Sequence, residues 1–201
     1  MMPEYRIYFP SPEGYSVFRR NLIKSEDNLY KRENAFLKEF SDNPKNTDAG
    51  TVKRRVTELN RLYSTRASGD ELVEVVNLIL HMNFEQQLDE AGYKLMELLR
   101  HVPSSRVNSG RIDHLSLASK YCHHCRPDKY PIYDSVNVRV LSVYFGYKDK
   151  RDYEEYVKCF KAFCSFLGYD ELKDNEGFYI DKYIQAIGTR NELPRASIGV
   201  S

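Results

Sequence analysis

The stretch KYPIYDSVNVRVL, residues 129–141, places one carboxylate, Asp134, between a proline-led apolar segment and an apolar run with helical spacing. Aspartate followed by Ser135 is ordinary capping chemistry, because the side-chain oxygen accepts a backbone N–H that has no partner in the first helical turn. A carboxylate at the mouth of a cleft can also work as an acid or stabilise positive charge. The sequence leaves both roles open for Asp134.

A second candidate is Lys120, the only lysine in the segment LSLASKYCHHC, residues 115–125. At 100° per residue it lies about 140° around a helix from Leu115 and on the same face as His124. One alternative is a solvated lysine on a surface helix. The other, which we predict, is that Lys120 and Asp134 face one shared cleft.

The Cys-x-x-Cys spacing of Cys122 and Cys125 suits tetrahedral zinc when a second pair is present. The other two cysteines, Cys159 and Cys164, have a different spacing. Leu115, Ala118, Cys122 and Cys125 also form one apolar helical stripe, in which cysteine behaves as a small core residue. We therefore predict reduced thiols and no metal site.

The segment VPSSRVNSGRID, residues 102–113, is rich in serine, asparagine and glycine and predicts a tight turn between two helices. Backbone N–H groups at the start of the following helix can bind a phosphate or another anion. Ser109, Gly110 and Arg111 are the candidate donors. Most turns of this kind bind only water, so both outcomes stay open.

Helical periodicity extends over most of the chain, and no strand pattern or internal repeat is convincing. Val52, Val56, Leu59 and Tyr63 follow one face of a helix, and Asp70 is predicted to cap the next one. Gly146, Gly168 and Gly188 are predicted to end helices. The sequence predicts an all-α fold, with helices at about 17–23, 26–40, 51–63, 71–82, 85–102, 113–125, 134–145, 151–167 and 178–187.

The composition is that of a globular chain, with 201 residues, 41% hydrophobic and 29% charged. The net charge of +1 counts against a protein that depends on phosphate contacts alone, although a local basic patch is compatible with it. No apolar run approaches the roughly 20 residues that span a bilayer, and residues 1–15 lack the apolar core of a secretion signal. We therefore expect a cytoplasmic protein without a membrane partner.

The order helix, glycine-bearing turn, helix, loop and PIYDSVNVRVL resembles the helix–hairpin–helix DNA glycosylases. More narrowly, SLASKYCHHCRPDKYPIYDS is similar to bacterial proteins with an 8-oxoguanine DNA glycosylase fold, and GFYIDKYIQAIG is similar to their final helix. The resemblance covers residues 50–190. It implies a lead-in over residues 1–50, a helix–hairpin–helix glycosylase-like helical domain over residues 51–190, and a flexible tail over residues 191–201.

This resemblance implies a base-excision glycosylase that acts on a damaged or modified purine-type base in duplex DNA and needs no cofactor. The target base is extruded into a pocket, and Asp134 stabilises the positive charge that develops on the sugar. The nucleophile is water or the Lys120 amine, and the amine would add abasic-site lyase activity. Four residues are expected to form the base pocket: Tyr121, His124, Tyr130 and Tyr133. Four are expected to contact DNA: Ser109, Gly110, Arg111 and Arg139.

Two alternatives remain. The chain can be a non-catalytic helical module that keeps the fold and binds nucleic acid or a protein partner. The neutral net charge and the unusual hairpin sequence favour this alternative, whereas the PIYDS segment favours the enzyme. It can also act on a glycosidic bond in RNA or a free nucleoside, as in the phage-defence systems where relatives of the narrower group occur.

Overall fold

The computed structural model describes residues 10–25, 27–90, 93–103, 111–148, 151–173 and 175–190. Within these ranges the chain is almost entirely helical, which confirms the predicted all-α class. No helix among these residues is both long and apolar enough to cross a membrane. The chain folds into two compact units, one of Asp27–Tyr130 and one that joins Met1–Glu26 to Pro131–Ser201. The predicted boundaries at residues 50 and 190 stay predictions.

The unit of Asp27–Tyr130, hereafter the central unit, contains six helices and a strand pair in its described part. Its elements are α2 (Asn28–Asp42), α3 (Ala49–Tyr63), α4 (Gly69–His81), α5 (Phe84–Glu90), α6 (Lys94–Arg100), β1 (His101–Pro103), β2 (Arg111–Asp113) and α7 (Leu115–Cys125). The helices α3 and α4 pack together, α7 packs on α2, α3 and α6, and β1 packs on α4 and α6.

The second unit, hereafter the terminal unit, is built from both ends of the chain. Its described helices are α1 (Pro12–Ile23), α8 (Ser135–Phe145), α9 (Tyr153–Phe166) and α10 (Glu176–Arg190). Helix α8 packs on α9 and α10, and α1 packs on α10. The core of this unit includes the fully buried side chains of Tyr15, Tyr156, Phe160 and Phe178.

The link between α6 and α7 differs from the predicted tight turn. Its described flanks are two antiparallel strands, with His101 opposite Asp113. The Arg100 guanidinium donates from Nε to Asp113 Oδ1 at 2.9 Å, and Asp113 Oδ1 also accepts the Leu115 N–H at 3.0 Å. One carboxylate thus ties the end of α6 to the start of α7 across the strand pair.

The helix predicted over 85–102 is instead the separate helices α5 and α6, with His101 and Val102 in β1. Two predicted helix ends are also wrong. Asp70 does not cap α4, because the cap is Ser68, whose backbone N–H donates to the Glu71 carboxylate at 2.8 Å. Gly188 does not end a helix but lies inside α10, and a Cβ placed there would lie 2.4 Å from Val136 Cγ1. This glycine permits the close approach of α10 to α8. Gly146 and Gly168 do follow helix ends and have positive φ values of 69° and 91°, as predicted.

Candidate active site

Asp134 lies immediately before α8, as predicted, and is the N-cap of that helix. Its backbone is extended, and Oδ1 accepts the N–H groups of Val136 at 3.0 Å and Asn137 at 2.9 Å. The buried residues Pro131–Tyr133 lead into it, and the Tyr153 hydroxyl donates to the Pro131 carbonyl at 2.7 Å. Asp134 is a partly exposed residue, unlike the three before it. Packing of the preceding segment and capping of α8 therefore hold Asp134 at an accessible position.

The second carboxylate oxygen of Asp134 contacts α10. Gln185 Nε2 donates to Asp134 Oδ2 at 3.4 Å and to Asp181 Oδ2 at 3.0 Å. On its other side, Gln185 Oε1 accepts a hydrogen bond from Lys182 Nζ at 3.3 Å. Lysine only donates and a carboxylate only accepts, so these partners determine which end of the amide faces the two aspartates. One amide therefore bridges two carboxylates.

Asp181 is fully buried, in contrast to Asp134. Lys182 Nζ lies 3.6 Å from Asp181 Oδ2 and is itself almost completely buried. The Asn137 side-chain amide donates to Asp181 Oδ1 and, at 3.0 Å, to the Ile132 carbonyl. The Asp181 carboxylate is thus compensated by one cation and two amides, as a buried charge requires.

The negative charge of this region also acts on a neighbouring tyrosine. Burial raises the pKa of Tyr156 well above its usual value, and the nearby charges of Asp134 and Asp181 raise this pKa further. The Tyr156 hydroxyl donates to the Ile132 carbonyl. Tyr156 is therefore a neutral hydrogen-bond donor that supports the segment before Asp134.

Two other predicted site residues lie in the terminal unit. Tyr133 is buried, with its ring centroid 5.1 Å from that of Tyr156 in an edge-on arrangement. Arg139 Nη2 donates to the Gly188 carbonyl at 2.6 Å. Tyr133 therefore packs beside the Asp134 segment and Arg139 ties α8 to α10, while their predicted roles toward a base and DNA stay predictions.

Lys120 belongs to the central unit and is buried, with 3% of its surface exposed. The solvated-lysine alternative is therefore wrong. Nζ donates to Ser116 Oγ at 2.6 Å and lies 5.3 Å from the centroid of the Tyr63 ring, a cation–π distance. Lys120 and Asp134 belong to different units, and their shared cleft stays a prediction.

His124 lies in an aromatic environment in the central unit. Its Nδ1 is 2.9 Å from the Lys120 carbonyl oxygen, to which it donates, and its ring contacts those of Phe36, Phe40 and Tyr63. Its Nε2 lies 3.5 Å from the Tyr63 hydroxyl. Tyr63 thus contacts both Lys120 and His124, a grouping that spacing along the chain did not predict.

Two tyrosines predicted for the base pocket are fully buried in the central unit. The Tyr121 hydroxyl donates to Asn46 Oδ1 at 2.6 Å, and its ring packs edge-on against Phe40 and Phe84. The Tyr130 hydroxyl donates to the Leu88 carbonyl at 2.8 Å. The structure gives both residues a packing role, and their role toward a base is untested.

The structure describes only part of the turn that was predicted to donate hydrogen bonds to a phosphate. Ser109 and Gly110 lie outside the described residues. The backbone of Arg111 forms the first position of β2, opposite Pro103, whereas its side chain lies outside the described part. The predicted anion site therefore stays a prediction.

Three residues of the predicted stripe, Leu115, Ala118 and Cys122, are in the core, whereas Cys125 is partly exposed. Cys122 is fully buried, and burial raises its thiol pKa well above the usual value. Burial also raises the pKa of Cys125 to about 12. Among the described residues, no group of three or more histidine, cysteine, aspartate or glutamate side chains could hold a metal ion. The absence of zinc stays a prediction for metal analysis.

The residues that sequence reasoning missed are Asp181, Lys182 and Gln185. They interrupt an otherwise apolar helix, FYIDKYIQAIG, and positions 181 and 185 share one helical face. This polar pair on an apolar helix was a usable signal. The hydrogen bond between Gln185 and Asp134 could not be predicted in this way, because the two residues are 51 positions apart in the chain.

Comparison with known proteins gives one family. The family model described as HI_0787_N, N-terminal domain, matches residues 17–129. That range contains almost all of the central unit, including Lys120, and ends before Asp134. No curated protein and no solved structure matches the chain.

Proposed function

The chain belongs to the HI_0787_N family, and we propose that this protein is a DNA base-excision glycosylase that acts on a damaged or modified purine-type base. The observation that carries the proposal is that Asp134 is partly exposed and that its carboxylate is held by α8 through one oxygen and by α10 through the other. A carboxylate positioned before the reaction stabilises developing positive charge without having to reorganise.

The proposed reaction is hydrolysis of the N-glycosidic bond. The bond between the base and C1′ breaks with its electron pair leaving on the base, and positive charge develops on the sugar. Water adds at C1′ and loses one proton, and the departing base gains one, so the products are a sugar hydroxyl and the neutral base. Asp134 stabilises the sugar cation and orients the water. A base within a duplex must first be extruded from the stack, so the proposed reaction also requires a pocket beside Asp134 that holds the extruded base. From the sequence resemblance, we propose a helix–hairpin–helix glycosylase-like fold for residues 51–190.

The decisive experiment is Asp134→Asn. Asparagine caps a helix about as well as aspartate, so this variant keeps the cap of α8 and removes both the charge and the acceptor for Gln185 Nε2. We expect single-turnover base release from duplexes with modified purines to fall about 100-fold or more, since one lost electrostatic contact costs roughly 10²–10³ in rate. DNA affinity should change little. Ser135→Ala, a change at the exposed neighbouring residue, is the matched control.

Equal rates for wild type and Asp134→Asn would reduce Asp134 to a cap and overturn the site. Borohydride trapping on an abasic-site duplex tests the lyase step separately, because only a Schiff base between an amine and the sugar is trapped. If trapping occurs, its loss in Lys120→Gln with base release retained would assign the amine to Lys120.

A second candidate is a non-catalytic module that binds nucleic acid or a protein partner. The observation that favours it is the internal use of predicted site groups, since the Tyr121 and Tyr130 hydroxyls and the Lys120 amine all bind protein atoms. DNA binding by the wild type without base release from any modified duplex, single strand, RNA or nucleoside would favour this candidate.

A further inference from the structure

Each oxygen of the Asp134 carboxylate has a donor that is itself held by a second carboxylate. On one side, the backbone N–H of Asn137 donates to Asp134 Oδ1, while the Asn137 side chain donates to Asp181 Oδ1. On the other side, Gln185 Nε2 donates to both Asp134 Oδ2 and Asp181 Oδ2. Two separate paths therefore lead from Asp181 to Asp134.

From this geometry we infer that Asp181 is the positioning residue for Asp134, an inference that rests on the proposed function. Asp181 is 0% exposed and so does not meet substrate. It acts through Gln185, whose Nε2 it holds toward Asp134, and through the side chain of Asn137, whose backbone N–H is the other donor to Asp134. Lys182 completes the arrangement, because its Nζ binds Gln185 Oε1 and lies beside Asp181 Oδ2.

The two amides cannot simply rotate to restore the contacts if Asp181 changes. Asn137 Nδ2 uses one hydrogen on the Ile132 carbonyl and the other on Asp181. Gln185 Nε2 uses one on each aspartate, and turning this amide over would place Oε1 against the Asp134 carboxylate. In Asp181→Asn, one of the two acceptor oxygens is replaced by an NH2 group. This group would face the NH2 group of either Asn137 or Gln185, two donors cannot form a hydrogen bond, and at least one path to Asp134 is therefore lost.

The test combines Asp181→Asn with the matched control Asp170→Asn, the same change at an exposed position of the terminal unit. Amide hydrogen exchange is measured at Val136 and Asn137, whose N–H groups bind Asp134, and at Leu141 further along α8. We expect exchange at the two capping amides to rise tenfold or more in Asp181→Asn, with Leu141 and the control unchanged. This readout needs neither DNA nor activity.

Single-turnover base release is measured on the same proteins. We expect Asp181→Asn to lower the rate at saturating enzyme at least tenfold, with DNA affinity within about threefold of wild type. Asp181→Glu, which keeps the acceptor, should recover part of the rate. Unchanged exchange at Val136 and Asn137, or an equal rise at Leu141, would overturn the positioning role. A wild type with no base release would overturn the proposed function, and the exchange result would still decide the role of Asp181.

Discussion

At the scale of single residues, environment separates two aspartates of the terminal unit. Asp134 is partly exposed and uses one oxygen to cap a helix, whereas Asp181 is fully buried beside Lys182. Removing one partner of a buried ion pair leaves an uncompensated charge, which costs far more than an intact pair contributes. The exposure of Asp134 therefore allows contact with a substrate, whereas the buried Asp181 can act only by positioning its neighbours.

Lys182→Met should lower the free energy of unfolding by about 3 kcal/mol, because Asp181 then loses its cation in a buried site. Urea denaturation followed by circular dichroism measures this change. Lys161→Met, which changes an exposed lysine of α9, is the control and should stay within about 0.5 kcal/mol of wild type. Similar values for the two variants would show that the Asp181 charge does not need Lys182.

At the scale of elements, the site depends on the contact between α8 and α10. Gly188 brings the two helices together at Val136 and Val140, where an added Cβ would lie 2.4 Å and 2.9 Å from the valine methyl carbons. One helical turn earlier, Gln185 reaches Asp134 across the same contact. The spacing of the helices and the geometry of the carboxylate are therefore linked.

Gly188→Ala should destabilise the protein by about 1–3 kcal/mol, the usual cost of overpacking, and should reduce base release because α10 must move away from α8. Thermal and urea denaturation measure the first effect. Gly69→Ala in α4 is the control, since its added methyl group meets no atom within 4 Å. A Gly188→Ala variant as stable as the control would show that the two helices can separate without cost.

At the scale of the whole molecule, both units bury groups that resist ionisation. Burial raises the pKa of Tyr121 in the central unit and, together with the Glu176 hydrogen bond, that of Tyr15 in the terminal unit. The pKa of Cys125 rises to about 12, and so does that of Cys164, in both cases chiefly through burial. Ionisation of these groups inside a folded unit is therefore unfavourable.

This burial predicts alkaline unfolding. A group whose pKa is raised by folding contributes stability that is present below its unfolded pKa and is lost as the pH rises toward the folded value. The ordinary pKa values of the exposed groups are 9.0 for cysteine and 10.0 for tyrosine, so the free energy of unfolding should change little up to about pH 8 and fall above about pH 9. Urea titrations across this range, with tyrosinate absorbance, provide the measurement. Ionisation of the buried tyrosines near their ordinary pKa in folded protein would contradict it.

The sequence by itself determined the local features of this protein. Apolar residues at a 3.6-residue period predicted the helices, and Asp134 before an apolar run predicted a helix N-cap, which the structure confirms. Both depend on groups within about one or two turns of each other, so local chemistry decides them. The cysteine stripe was predictable for the same reason.

Only the tertiary structure decided which distant groups meet. The joining of Asp134 to Gln185 and Asp181, the burial of Lys120 and the position of Gly188 inside α10 all depend on packing between helices. The pairing of β1 with β2, and the contact of Arg100 with Asp113 beside it, likewise join residues that are distant along the chain. The spacing of residues along the sequence predicts which side chains share one face of a helix. It does not predict their partners on another helix, because those are determined by how the helices pack in three dimensions.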